Sequence, residues 1–164
     1  MNKLLLALCL SALALISFLF VRGTMSIRFD QNCGGYLKRA ANAITVETAA
    51  RELSRALEYA DRAELTGGYT SVLWRTPDED VGFWYRNLRD SLAELQSVKP
   101  DASPLERTNL LMKLRETLLD QGDNGPHLAA PPGLSAYPFN AVLAVFGWVS
   151  LLAFLAFLFA TLDS

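Results

Sequence analysis

Cysteine and histidine are nearly absent from this chain of 164 residues, with two of the first and one of the second. That excludes a Cys/His zinc cage and a disulfide framework. Charge of one sign is not in excess either. Fifteen basic and 17 acidic residues leave a formal net charge of −2, so no basic field exists to hold nucleic acid. No Asn-x-Ser/Thr triplet occurs, which removes the usual mark of a glycosylated lumenal segment. Phosphate loop, nucleophile elbow and dinucleotide fingerprint are missing as well. Two stretches, 4–21 and 139–162, lack any charged residue. Long disorder is excluded, because the charged middle still carries many Leu, Trp, Tyr and Phe.

The apolar runs set the class. Residues 4–21, LLLALCLSALALISFLFV, would span roughly 27 Å as a helix, close to the hydrocarbon thickness. A signal peptide usually has a shorter apolar core of about 7–15 residues and a small-x-small site after it. Ala12-Leu13-Ala14 has that form but lies inside the run, and Leu8 stands where a lipoprotein site needs a small residue before Cys9. An uncleaved signal anchor is therefore expected. The second run, 139–162, reaches roughly 36 Å, enough to span with tilt. Pro138 precedes it, and Tyr137 and Phe139 sit where aromatic side chains anchor at a membrane interface.

Lys3 favours a cytoplasmic start, whereas Arg22, Arg28, Lys38 and Arg39 after the first run argue the other way. Segments longer than about 60 residues cross largely regardless of charge, and 22–138 is well beyond that. The expected arrangement is a cytoplasmic 1–3, a span at 4–21, an extracytoplasmic domain at 22–126, a Pro-rich tether at 127–138, a second span at 139–162 and a cytoplasmic 163–164. A bacterial inner membrane, with the middle in the periplasm, is the simplest setting.

The middle reads as helical. Leu37, Ala41, Ile44, Thr48, Leu53, Leu57 and Ala60 form one stripe of a helix expected over 36–65, ended by Thr66-Gly67-Gly68. Glu47/Arg51 and Glu58/Arg62 stand four apart, a spacing worth about 0.2–0.5 kcal/mol per pair. Gly34-Gly35 predicts a break between this helix and the first span. Tyr69–Trp74 is β-prone but short, hence an extended connector. Thr76-Pro77-Asp78-Glu79 is a capping-box pattern opening a helix over 77–98, with Val81, Trp84, Tyr85, Leu88, Leu92 and Leu95 on one face. Ser103-Pro104-Leu105-Glu106 opens a third over 104–121, with Leu105, Leu111, Leu114 and Leu118 apolar, ending at Gly122. Four prolines in 126–138 exclude regular helix there. The fold class is an all-α membrane protein, two transmembrane helices flanking a three-helix extramembrane domain. The order of span, helical domain and span resembles, in outline, the sensor part of bacterial chemoreceptors. Asp163 and Ser164 are too little for their cytoplasmic output, and no residue is carried over.

Few residues suggest chemistry. Asp78, Glu79 and Asp80 offer oxygen ligands, but the first turn of a helix favours acidic residues for electrostatic reasons alone. No metal or other cofactor is expected. Cys33 is the lone thiol outside the apolar runs and is a candidate for a partner surface, and His127 is the only base that could activate it. Trp74 and Phe83 are the other candidates for a partner surface, the alternative being burial of Phe83 under the 69–74 connector. Small residues recur at helical spacing in both apolar runs. Ala7, Ser11 and Ala14 in the first, and Ala144, Gly147, Ser150 and Ala153 in the second, predict close membrane-helix packing, with each other or with another chain. The expected function is non-catalytic: an accessory or assembly subunit of a membrane complex, acting by protein–protein contact. The alternatives are a ligand-sensing module coupled to a partner membrane protein, and a homo-oligomeric pore or scaffold.

Overall fold

The computed structural model describes residues 3–122 and 125–162. Met1, Asn2, Asp163 and Ser164, which make up most of the two expected cytoplasmic ends, lie outside the described residues. The protein is mostly helical, with one small two-stranded sheet.

The first apolar run does not stop at Val21. Helix α1 covers Lys3–Phe29, a π-turn follows at Asp30–Gly34, and α2 covers Gly35–Ala41. Together they form one unbroken helical rod, Lys3–Ala41. The break expected at Gly34-Gly35 is absent, and the reason is local. Gly35 N–H donates to the carbonyl of Asp30, five residues back, which is the π pattern. A Cβ on Gly35 would lie 2.8 Å from that carbonyl oxygen. Glycine here permits a widened turn inside the rod and does not end it.

The chain turns back at 42–45. Thr45 accepts a hydrogen bond from Thr48 N–H at 3.2 Å and starts α3, Val46–Arg62. The single helix expected over 36–65 is thus two helices, α2 and α3, in contact with each other. Three cross-contacts, from α1, the π-turn and α2 in turn, fix the antiparallel register of α3 against the rod. Phe29 meets Tyr59 edge-on at 6.3 Å, Cys33 Sγ lies 3.7 Å from Ala56 O, and Arg39 Nε lies 3.1 Å from Glu52 Oε2. Glu52 is buried, with Arg51 and Arg55 each 3.6 Å from its other oxygen. Glu47 pairs with Arg107 at 3.2 Å, not with Arg51, and Arg62 donates to the Glu58 carbonyl and not to its carboxylate. Ile44 leaves the predicted stripe and stands 91% exposed in the turn.

Helix α3 ends at Arg62, before the glycines, with Glu64 taking the left-handed conformation at φ 56°. The Thr76 box forms, its N–H and Oγ1 both on Glu79 Oε2 at 3.2 and 2.8 Å. It caps only a 3-10 turn, Pro77–Glu79. Asp80 Oδ1 then accepts from Phe83 N–H at 2.9 Å and starts α4, Val81–Gln96. Ser103 Oγ accepts from Glu106 N–H and starts α5, Pro104–Leu118, as the sequence implies. Leu105, however, is exposed.

Two expectations for 119–138 are overturned. Helix α5 stops at Leu118, and β1, Leu119–Gly122, pairs antiparallel with β2, Gly125–Leu128. The following segment is docked, not a free tether. Leu134 and Ala136 are buried, and Tyr137 OH donates to Gly67 O at 2.7 Å. Helix α6, Asn140–Leu162, then returns along α1. The head is therefore built from four helices, because α2 joins α3, α4 and α5. Cys33, Leu37, Leu53, Leu88, Leu114 and Leu118 belong to its core.

Two of the rod's three glycines, Gly23 and Gly35, predict opposite outcomes. Gly23 has nothing within 4 Å of a built Cβ, so Gly23→Ala is expected to leave stability unchanged or raise it by up to about 1 kcal/mol, as in an ordinary helix. Gly35→Ala is expected to lower it by about 1–3 kcal/mol, because the Asp30 carbonyl must move. Thermal melts of the two variants in mild detergent check the sign.

Candidate functional site

The most constructed contact outside the head core is the seam between α1 and α6. Both are long and apolar enough to cross a membrane. Ser11, Gly147 and Ser150 are buried, and Ala7, Ala14, Ala144 and Ala153 are half-buried. Ser17, Ala156 and Ala160, which continue the small-residue pattern, are exposed. Phe18 takes the place on the packed face that Ser17 does not. Its ring fills the space over Gly147, where a Cβ would come within 2.7 Å of it, and lies 6.4 Å from the Phe146 ring. The hydroxyls of Ser11 and Ser17 donate to carbonyls one turn back, Leu8 O and Leu13 O, so neither carries an unmet polar demand into the apolar zone. The small residues thus let the two helices of one chain approach each other, one of the two uses the sequence allows.

Cys33 does not lie on a surface. It is fully buried in the head core, and burial pushes its thiol up to about 12. At neutral pH it is a protonated, enclosed group and neither a nucleophile nor a handle for a partner. His127 sits elsewhere, on β2, in the wall of a cleft that Cys33 does not line.

That cleft, about 930 Å³, opens between the start of α4, the 69–80 connector and the 127–132 segment. Tyr69, Phe83, Trp84, Asn87, Asp120 and His127 are among its walls. Arg75 stacks on Tyr69, its guanidinium carbon 5.1 Å from the ring centre. Trp84 is buried, yet its Nε1 has no hydrogen-bond partner among the described residues. Two of the acidic triplet are spent locally, Glu79 on Thr76 and Asp80 on the α4 cap, while Asp78 lines the cleft. Away from the cleft lining, Tyr85 OH on α4 donates to Asp61 on α3. That hydrogen bond, with some burial, raises the phenol's pKa.

The two aromatic candidates separate. Phe83 is 56% exposed at the cleft, so the connector does not bury it. Trp74 is 73% exposed and does not line the cleft, although Tyr69 and Arg75 of the same connector do. Sequence reasoning missed the cleft as a whole, because its lower wall is the hairpin and the docked 129–132 segment, both read as helix end and tether. No protein-family model, curated protein or solved structure matches the chain.

Two outcomes follow from this geometry. Gly147→Leu is expected to push α6 off α1 and lower the melting temperature in detergent, and Phe18→Ala is expected to restore part of the loss. Additive losses in the double variant would remove the pairing. For Cys33, the unfolded thiol ionises near 9.0 and the folded one near 12. Its contribution is present in full below pH 9 and lost as pH rises toward 12. The melting temperature of the parent is expected to fall more steeply between pH 9 and 11 than that of Cys33→Ala, measured by circular dichroism.

Proposed function

We propose that this chain is a two-pass protein of a bacterial inner membrane. Both ends face the cytoplasm and the head faces the periplasm. It works non-catalytically, as an accessory or assembly subunit of a membrane complex.

One observation carries the reading. The head is fixed to both apolar helices: it continues one of them as an unbroken rod and is hydrogen-bonded to the start of the other. The two helices close on each other through the Gly147 seam. A head held this way presents its surface at a set height and angle above a bilayer, which suits a subunit that positions another protein. Phe83, Leu105 and Met112 supply exposed apolar contacts on that surface.

A second reading, a ligand-binding module, is favoured by the cleft and by the unpartnered Trp84 Nε1 in its wall. Such a cleft lies in the size range of small-molecule sites, about 300–1,000 Å³.

Purification in mild detergent followed by intact-complex mass determination separates the readings. A foreign membrane protein in fixed stoichiometry, lost in a Met112→Asp variant that still melts normally, is the expected result. A clean multiple of the 18.1 kDa chain would overturn it and favour a self-assembling scaffold or pore. A monomer mass with a retained small molecule would favour the cleft.

A further inference from the structure

Val72, Leu73 and Trp74 are three successive apolar residues, exposed by 44%, 80% and 73%. A soluble surface rarely leaves such a run uncovered without a use for it. Their height relative to the apolar helices can be worked out.

Helix α6 runs antiparallel to α1, with Gly147 against Phe18. Asn140 is seven residues toward the head from Gly147, a rise of about 10 Å. The same rise along α1 from Phe18 reaches Met25. The uncharged run of α1 ends at Val21, so Asn140 lies about 6 Å beyond the hydrocarbon edge. That is the depth of the headgroup layer, roughly 5–7 Å on each side.

The loop is tied to this level from two directions. Asn140 Nδ2 donates to Thr70 O at 2.7 Å, and Tyr137 OH donates to Gly67 O at 2.7 Å. Independently, α3 descends along the rod with Tyr59 beside Phe29, so its end at Arg62 reaches the same zone. The loop is closed at its base by Thr70 N–H on Glu79 O at 3.1 Å and the Tyr69–Asp80 bridge. Trp74 is four residues from Thr70, within about 14 Å of it even when extended.

We infer that Val72–Trp74 is an interfacial anchor that inserts into the headgroup–acyl boundary of the same bilayer the two apolar helices cross. The chemistry suits that occupant. Tryptophan is enriched at this depth, Leu73 supplies apolar area, and Arg75 next to them supplies a cation for anionic headgroups. Phe139 and Ile27, both exposed at this level, continue the same belt. The anchor adds a third point of membrane contact beside the two spans and fixes the rotation of the head about the membrane normal.

This inference rests on the reading of α1 and α6 as membrane spans, and the test separates the two. Leu73→Cys, Leu152→Cys and Ile44→Cys are made singly in a Cys9→Ser background, Cys33 being buried. Each carries a nitroxide, and the full chain is placed in vesicles of phosphatidylcholine with added phosphatidylglycerol. Collision with oxygen, which partitions into lipid, is compared with collision with a water-soluble nickel chelate. Leu152 lies on the outer face of α6 and Ile44 at the far tip of the head. The expected result is several-fold protection of position 73 from nickel relative to 44, with oxygen access retained. Nickel access at 73 equal to that at 44, with 152 protected, overturns the anchor alone. Nickel access at 152 overturns the membrane reading and the anchor with it. Protection of 73 from both reagents means that protein covers the loop, and overturns lipid as the occupant.

Discussion

The contact between the Asp30 carbonyl and the bare Cα of Gly35 governs how the head sits on the apolar helices. A helix with a side chain at that point could not admit the carbonyl so closely. With glycine there, the turn widens, and residues four apart, Phe29, Cys33 and Leu37, all come to face α3 or the core. The same rod presents Ser11 and Phe18 to α6 lower down. One helix therefore serves two different packing partners along its length, and the π-turn lies where the change of partner occurs. Glu52, held by three arginines from two helices, then keeps α3 in register with the rod.

The closing segment matters almost as much. Tyr137 and Asn140 donate to carbonyls of the 67–70 loop, and Leu134 and Ala136 are buried. The prolines keep α-helix out of 126–138, but a 3-10 turn forms at Leu134–Ala136, held by backbone hydrogen bonds such as Leu134 N–H to Pro131 O and Ala136 N–H to Gly133 O. The Tyr137 and Asn140 side chains add the ties to the 67–70 loop. The head has both its entrance and its exit at one end, and each is fixed.

Much of this was legible beforehand, for reasons that differ by element. Apolar runs free of charge mark α1 and α6, because both are long and apolar enough to cross a membrane. Ser103 marks a helix start because a side-chain oxygen must meet orphan N–H groups, a local requirement that survives tertiary context, whereas the Thr76 box caps only a 3-10 turn and α4 starts on Asp80, four residues later than the box implied. The small residues at 7, 11 and 14 and at 144, 147, 150 and 153 mark the seam, although their spacing could not say whose helix would fill it. What stayed hidden was non-local. The reversal at 42–45 has only Thr45 as its sign, inside a stripe that continues to read as helix. The hairpin at 119–128 has weak strand composition and depends on α5 stopping early. The burial of Cys33 follows from the turn at Asp30–Gly34, and its composition does not show it.

The rod that carries the head has a mechanical consequence. About 20 residues of it, from Arg22 to Ala41, project beyond the apolar run, roughly 30 Å, against roughly 27 Å within it. The two arms of this lever are nearly equal, with the fulcrum near the Thr70–Asn140 tie. A change in the tilt of the lower arm is reproduced at the tip with similar amplitude and opposite direction. The turn at 42–45 and the 97–103 connector would thus report, at the far end of the rod, on how closely α1 and α6 are crossed.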